Sequence, residues 1–260
     1  MTETSTNPDK DTQHLRRSFI LAVSFAVLSW LILIVDIVFK FDLYQYGVYP
    51  LRMSGLHGII WAPMIHGSIS HVFANTAPIV ILGTTLLYGY PKSAKIVLTA
   101  TYIGSGILIW LFARDAYHIG SSGLNFGMMF FVFTIGVLRW DRRAIALSLL
   151  VFFLYGSMIW GIFPSAPGIS FESHFSGALI GIVLAVLLKR HDTSPPEKHY
   201  SWEDESENPG PADGGSINER MPCGSVQPHP PAYARRSYSG MGSGLPLFLI
   251  ILTFWISVTH

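Results

Sequence analysis

Residues 171–190 read FESHFSGALIGIVLAVLLKR, an apolar run that carries His174 near its start and ends with two cations. As an α-helix rising about 1.5 Å per residue, positions 171–188 are long enough to cross the hydrocarbon core of a bilayer. Gly177 and Gly181 lie on one stripe of that helix, where small residues let a neighbouring helix approach closely. The segment therefore predicts a transmembrane helix with a polar residue at its entrance.

Apolar runs of similar length recur along the chain and predict six membrane spans. They cover residues 18–39, 67–88, 94–113, 122–138, 144–163 and 171–188. The composition agrees, since 50% of the residues are hydrophobic and 13% are charged, against about 25% charged in a typical soluble domain. The fold class expected from this pattern is an all-α polytopic membrane protein, with a six-helix membrane domain over residues 18–190.

Both ends of the chain carry an apolar run that needs separate interpretation. The first run is too long for the apolar region of a secretory signal and has no small-x-small cleavage site after it, so we expect it to be retained. Near the other end, residues 244–260 contain a shorter run, 245–258. That length suits a tilted seventh span, an interfacial helix or a tail anchor equally well.

Basic residues beside the spans predict the orientation of the chain. One set of alternate loops carries Arg16, Arg17, Lys92, Lys95, Arg139, Arg142, Arg143, Lys189 and Arg190, and the other set carries Lys40, Arg52 and Arg114. By the positive-inside rule, residues 1–17, a polar segment expected to be loose, lie in the cytoplasm. We expect a bacterial inner membrane, although an organelle membrane fits the same pattern.

Composition also limits the partners and cofactors to be expected. Residues 191–243 are rich in Pro, Gly, Ser and acids, which predicts a disordered linker. Cys223 is the single cysteine, so an intramolecular disulfide and a thiolate metal cluster are excluded. The net charge of +1 gives no indication of nucleic-acid binding. No internal repeat is evident, so a transporter built from two inverted halves gains no support.

Polar residues inside the apolar runs are the ones that a bilayer penalises, and they concentrate at the start of three spans. The second span opens with HGSISHVFAN over residues 66–75, the fourth with GSSG over 120–123, and the sixth with HFSGALIG over 174–181. His71 and Asn75 are four residues apart and therefore share one helix face. Because the three spans run in the same direction, all three segments are predicted at the outer membrane surface, where a site is accessible to water.

Small residues predict that the fourth and sixth spans pack closely. Gly123 and Gly127 form a second small-xxx-small pair, which matches the pair at Gly177 and Gly181. Close backbones would bring the polar starts of the two helices within hydrogen-bonding reach of each other.

Ser122 and His174 are the candidate nucleophile and base for attack on a carbonyl carbon. A neutral imidazole would take the hydroxyl proton of Ser122 and later return it to the leaving amine. The tetrahedral oxyanion needs donors, and the side chains of Asn75 and His71 and the backbone N–H of Ser122 are the candidates. Glu172 lies two residues from His174 and so points to a different helix face, which makes it an interfacial residue and not an orienting acid.

These motifs resemble those of the rhomboid intramembrane serine proteases, over roughly residues 15–190. The spacing of His66, His71 and Asn75 is similar to the family's second-helix signature. The stretch from Gly120 to Gly123 is similar to its GxSG nucleophile motif, and His174 with Gly177 and Gly181 is similar to its sixth-helix base motif.

The resemblance implies a role for each matching residue and a class of substrate. Ser122 would be the nucleophile, His174 the base, and His71, Asn75 and the Ser122 amide the oxyanion site, with His66 in support. The partners implied are single-pass transmembrane proteins within the lipid bilayer, cut near the outer face, and no cofactor is used.

The sequence also departs from the family pattern at three places. Phe126 stands where many members have a tyrosine that stacks on the catalytic histidine, so we expect the stacking to be kept and the hydroxyl lost. His57 and Gly58 stand where a Trp-Arg pair is common, and Leu87 stands where a glutamate is common. The loss of the hydroxyl at position 126 should have a modest effect. The other two departures bear on loop anchoring and stability and not on the chemistry.

The same residues also fit roles other than catalysis. Glycine-flanked serines in membrane helices usually serve packing, and Asn75 would serve as structural glue between helices. A zinc site of His66, His71 and His174 is disfavoured because a five-residue interval turns the first two about 140° apart on a helix. A channel would spread ionisable groups along a path. The remaining alternative is a non-proteolytic rhomboid-like module that binds membrane proteins.

Overall fold

The computed structural model describes residues 8–164, 168 and 170–192. All of them belong to one structural unit, Met1–Lys198. The α-helices are α1 Pro8–Phe39, α2 Gly58–Trp61, α3 Ile69–Gly89, α4 Pro91–Phe112, α5 Ser122–Arg139, α6 Arg142–Tyr155 and α7 Phe171–Leu188. Short 3-10 helices cover Leu43–Tyr46, Met53–Gly55, Ala62–Met64 and Gly156–Ile162.

Six helical segments are long and apolar enough to cross a membrane, with α6 and the 3-10 helix after it counted together as Arg142–Ile162, which confirms the predicted all-α six-span architecture. The second, fourth and sixth predicted spans are α3, α5 and α7. The short α2 belongs to the long connection between α1 and α3, in which the other 3-10 turns also lie. The first half of the bundle thus carries a structured loop on the end where α3 begins.

Two element boundaries differ from the prediction by more than three residues. The first helix begins at Pro8, so the expectation of a loose N-terminal segment is wrong from that residue onward; Asp9 and Asp11 in its first turn suit the positive end of the helix dipole. The predicted fifth span is α-helical as far as Tyr155 and continues as the 3-10 helix Gly156–Ile162. The candidate seventh segment and residues 193–243 of the predicted linker lie outside the described residues.

Helix α5 lies at the centre of the bundle and is in backbone contact with α7. A Cβ atom added at Gly177 would lie 2.0 Å from the carbonyl oxygen of Gly123, and one added at Gly181 would lie 2.3 Å from that of Gly127. No larger residue fits at either position without separating the helices. We refer to Gly123, Gly127, Gly177 and Gly181 as the glycine contact.

The end of α7 is tied to the starts of other helices by Asp192. Its carboxylate accepts from the backbone N–H groups of Lys92 at 2.9 Å and Ser93 at 3.0 Å, which caps α4. Arg139 donates to the backbone carbonyl of Asp192 and pairs with Asp141 at 2.8 Å. The C-terminal end of α7 is therefore tied to the start of α4 and to the end of α5.

Candidate active site

The three polar segments come together at the end of the bundle where α3, α5 and α7 begin, which we call the site end. Three contacts link the helices there. Gly120, just before α5, lies against the ring of His71 in α3. Within the helices, Asn125 of α5 bonds to Asn75 of α3, and a ring of α5 stacks on the histidine of α7. The convergence expected from parallel helix directions is present.

Helix α7 presents His174 in its first turn. Ser170 precedes the helix, and its hydroxyl oxygen accepts from the N–H of Ser173 at 3.3 Å. The His174 ring nitrogen Nδ1 lies 2.8 Å from the carbonyl oxygen of Gly161. Because a carbonyl only accepts, Nδ1 carries the proton in this bond, and Nε2 of the neutral ring is left with its lone pair.

Phe126 fixes the plane of the His174 ring. The two rings are parallel within 4°, with centroids 4.2 Å apart. Gly161 completes the arrangement, since a Cβ there would lie 3.0 Å from His174 Nδ1 and 2.9 Å from Phe126 Cζ. A carbonyl on one edge and an aromatic ring on one face hold the imidazole in a single orientation.

Ser122 is the first residue of α5 and lies one turn before Phe126. Residues four apart share a helix face, so the serine lies on the face of α5 that turns towards His174. In the part of the chain that the structure describes, no hydrogen bond joins Ser122 Oγ to His174. Hydrogen bonds between catalytic groups are often long in a protein without substrate and tighten in the complex.

The loop before the serine packs on His71. Gly120 has φ +103°, a conformation that favours glycine, and its N–H donates to the carbonyl of Ala62 at 2.8 Å. A Cβ at this position would lie 2.6 Å from His71 Nε2. Ser68 caps α3 by accepting from the N–H of His71 at 3.1 Å. The imidazole of His71 thus lies beside the backbone that leads into Ser122.

His66 packs against His71. It is 1% exposed, and its ring contacts the His71 ring edge to face with centroids 4.9 Å apart. Nδ1 lies 3.3 Å from the carbonyl of Met64, and Nε2 lies 3.5 Å from Ser121 Oγ. Burial, with the neighbouring His71 as a smaller cause, lowers the pKa of His66 to about 4. The ring is therefore neutral at pH 7 and packs as an uncharged group.

Asn75 is buried, and both ends of its amide are engaged. Its Oδ1 accepts from Asn125 Nδ2 at 2.9 Å, and its own Nδ2 donates to the carbonyl of His71 at 3.0 Å. Asn125 was not considered in the sequence reasoning, although it is the fourth residue of the predicted fourth span, three residues after Ser122. The signal was present, because an amide within the apolar run of a transmembrane helix is itself penalised by the bilayer.

His118 is a further buried histidine at the site end. The residue is 3% exposed, with Nδ1 2.7 Å from Ser170 Oγ and Nε2 3.0 Å from the carbonyl of Arg114. Burial lowers its pKa. Its backbone pairs with that of Val48 through two hydrogen bonds. Glu172, paired with Arg114 at 3.6 Å, completes a polar cluster that links three connections at the site end.

The residues of the site offer no metal centre. No group of three or more His, Cys, Asp or Glu within the described residues is placed to hold a metal ion. What the arrangement offers is a hydroxyl, an oriented neutral imidazole and several N–H donors around one point. That inventory suits acyl transfer by a nucleophilic serine.

The fold and the site define an integral membrane protein with a polar site at one end of a six-helix bundle. A family model for the Rhomboid domain matches residues 54–191. The chain therefore belongs to the rhomboid family, which confirms the resemblance found in its motifs.

Individual relatives agree with this assignment. An uncharacterised protein of Mycobacterium tuberculosis is 32% identical over 175 residues, covering 64% of this chain and 73% of the relative. An uncharacterised protein of Mycobacterium leprae is 29% identical over 196 residues, covering 70% of this chain and 76% of the relative. RHOMBOID-like protein 7 of Arabidopsis thaliana is 25% identical over 145 residues, covering 54% of this chain and 43% of that protein.

Proposed function

We propose that this protein is an intramembrane serine endopeptidase in which Ser122 is the nucleophile and His174 the base. The observation that carries the proposal is the orientation of His174. Its Nδ1 is occupied by the Gly161 carbonyl, and its ring plane is set by Phe126. The other ring nitrogen, Nε2, keeps its lone pair and would accept the proton of a serine on the neighbouring helix.

The reaction proceeds in two steps, formation of an acyl-enzyme and its hydrolysis. Ser122 Oγ attacks the carbonyl carbon of the scissile peptide bond while its proton passes to His174 Nε2. The proton then goes to the leaving nitrogen, the C–N bond breaks, and an acyl-enzyme ester remains. Water gives a proton to the same Nε2 as it attacks the ester, and the proton returns to Ser122 when the ester bond breaks. The Gly161 carbonyl replaces the acidic residue of a triad by orienting the ring.

The oxyanion is held by donors from two helices. The backbone N–H groups in the first turn of α5 have no side-chain cap from Ser121, and they lie at the positive end of the helix dipole. Asn75 has one amide hydrogen left after its bond to the His71 carbonyl. His71, packed on Gly120, is the third candidate donor. Donors of this kind are worth roughly 10²–10³ in rate each.

The substrates would be single-pass transmembrane proteins cut near the outer face of the membrane. The distribution of cations supports this orientation, since Lys92, Arg139 and Arg143 lie at the end of the bundle opposite the site. The site would then open to the outside and the N-terminus would lie in the cytoplasm. The mycobacterial relatives support a bacterial cell membrane.

Cleavage of a labelled single-pass substrate in liposomes tests this proposal. The parent, Ser122→Ala and His174→Ala would be compared with and without a metal chelator. Ser176→Ala, which removes a buried hydroxyl two residues after His174, is the matched control. We expect chelator-insensitive cleavage by the parent and the control, and a loss of at least about 10³-fold in the other two.

Two results would contradict the proposal in different ways. Equal cleavage by all four proteins would exclude the dyad. Binding of the substrate without cleavage by the parent would favour the non-proteolytic binding module.

A further inference from the structure

Asn125 is a buried amide with a specific partner and no place in the chemistry described so far. It is 1% exposed and lies on α5, three residues after Ser122. Its Nδ2 donates to the side-chain oxygen of Asn75 at 2.9 Å and lies 3.4 Å from the backbone carbonyl of the same residue. Its own Oδ1 is buried and has no hydrogen-bond partner among the described residues. An unpaired buried oxygen is costly, so the amide is not explained by its own hydrogen bonding.

The partner of Asn125 is the side-chain amide of Asn75, and the orientation of this amide decides whether a donor or an acceptor faces the site. The oxygen and nitrogen ends of Asn75 have nearly the same shape, and a rotation of about 180° exchanges them. In one orientation the nitrogen lies at the site end and donates to the carbonyl of His71. In the other, the oxygen would lie there, next to a carbonyl and beside the place where negative charge develops. A donor site would become a repulsive one.

Asn125 selects between these orientations from the opposite side. Because its Nδ2 can only donate, it accepts the oxygen of Asn75 as a partner and rejects the nitrogen. The His71 carbonyl adds to the same selection on the nitrogen side. The two contacts use an acceptor and a donor at the two ends of one side chain and therefore fix it.

We infer that Asn125 is a positioning residue that orients the amide nitrogen of Asn75 towards the oxyanion, and this inference rests on the proposed function. It acts through Asn75 and does not touch the reacting atoms. Helix α5 thereby carries both the nucleophile Ser122 and, about one turn further along, the residue that orients an oxyanion donor on α3. Loss of the bond should lower kcat and leave KM nearly unchanged, because the donor is needed only in the transition state.

A double-mutant cycle in liposomes separates positioning from a structural role. The proteins are the parent, Asn125→Leu, Asn75→Ala and the double variant, with Met129→Leu as the control for a buried side chain one turn along α5. We expect Asn125→Leu to lower kcat about tenfold in the parent and by less than about twofold in the Asn75→Ala background. Met129→Leu should keep the kcat of the parent. Thermal unfolding in detergent shows which variants fold, and Asn125→Ala replaces Asn125→Leu if the latter does not.

The outcomes distinguish the inference from the function on which it rests. A parent that cleaves, with Asn125→Leu at the kcat of the parent, overturns the inference alone. The same holds if Asn125→Leu loses the same factor in both backgrounds, since it would then act independently of Asn75. A parent that does not cleave overturns the proposed function and, with it, the inference.

Discussion

The contact between α5 and α7 and the docking of α6 differ in how much of the helix is buried. At the glycine contact, backbone touches backbone, and α5 buries eleven of its residues, from Gly123 to Gly136. Helix α6 buries Ala144, Ser148 and Val151 and presents most of its other side chains outward. Ser122 and His174 lie on α5 and α7, so their separation is set by this close backbone contact.

This difference in burial indicates where the site tolerates movement. Helix α6 continues into the 3-10 helix that contains Gly161, and the Gly161 carbonyl orients His174. The more exposed helix therefore reaches the site through Gly161, whereas α5 and α7 carry the site residues themselves. Changes at the glycine contact should be severe, and changes on the outer face of α6 should be mild.

The largest effect is expected from an added methyl group at the glycine contact. Gly177→Ala places a Cβ 2.0 Å from the Gly123 carbonyl oxygen, which only helix separation relieves. We expect a loss of about 3 kcal/mol or more in stability, the upper range for overpacking, together with loss of cleavage. Thermal unfolding in detergent measures the first, and the liposome assay measures the second.

Gly156→Ala is the matched control at the end of α6. A Cβ there meets the ring of Phe152 at 3.4 Å, an ordinary contact, and the backbone is in the right-handed helical region. This variant should unfold within a few degrees of the parent. Equal destabilisation by both substitutions would show that the two regions are packed alike.

A pH effect on stability is expected from the buried imidazoles of the site end. The pKa of His66 is lowered from 6.5 to about 4 in the folded protein, so the unfolded chain binds more protons between these values. Folded stability therefore falls as pH drops below about 6.5, by about 2 kcal/mol for this residue at about pH 5. His118 shifts in the same direction and adds to the effect.

His66→Gln tests the origin of this pH dependence. Unfolding temperatures of parent and variant would be compared at about pH 7.5 and about pH 5. The variant should lose less stability than the parent between the two. If it kept the full pH dependence of the parent, His66 would not be the group that titrates.

A smaller effect is expected from the ring that faces His174. Phe126→Leu keeps an apolar side chain but removes the parallel stacking at 4.2 Å. Aromatic pairs contribute about 0.5–1.5 kcal/mol beyond burial, so kcat should fall roughly 2- to 12-fold. Phe126→Tyr retains the ring and should lose less than Phe126→Leu. A larger loss with tyrosine would show that the ring acts by some means other than stacking.

The smallest effect is expected on the outer face of α6. Phe153 is 76% exposed, and its ring contacts that of Phe152 at a centroid separation of 5.8 Å. Phe153→Leu should change stability by less than about 0.5 kcal/mol and leave cleavage unchanged. Loss of cleavage without loss of stability would assign this face a role that its packing does not indicate.

The spans and the helices that carry the site follow from the sequence because hydrocarbon imposes length and apolarity on each crossing. Polar residues at the starts of the second, fourth and sixth spans indicated which helices would meet. The extra turns of α1 from Pro8 were missed because a helix that continues beyond the apolar run leaves no hydropathy signal. The 3-10 segment Gly156–Ile162 was missed for a related reason, since it is as apolar as the helix before it.

The sequence did not predict which residues bond to one another across helices. The stacking of Phe126 on His174 was expected through family resemblance, whereas the bonds from Gly161 to His174 and from Asn125 to Asn75 depend on helix rotation and depth. Spacing along a chain gives the face of a helix and not the residue that it meets. A buried polar residue such as Asn125 indicates that a partner exists without indicating which one.

The central claim is that His174 activates Ser122, and covalent labelling tests it most directly. A fluorophosphonate reacts with an activated serine hydroxyl and needs neither a substrate nor knowledge of the cleavage site. We expect one modification, located at Ser122 by mass spectrometry, absent in Ser122→Ala and strongly reduced in His174→Ala. Labelling of His174→Ala at the rate of the parent, or of a serine other than Ser122, would contradict it.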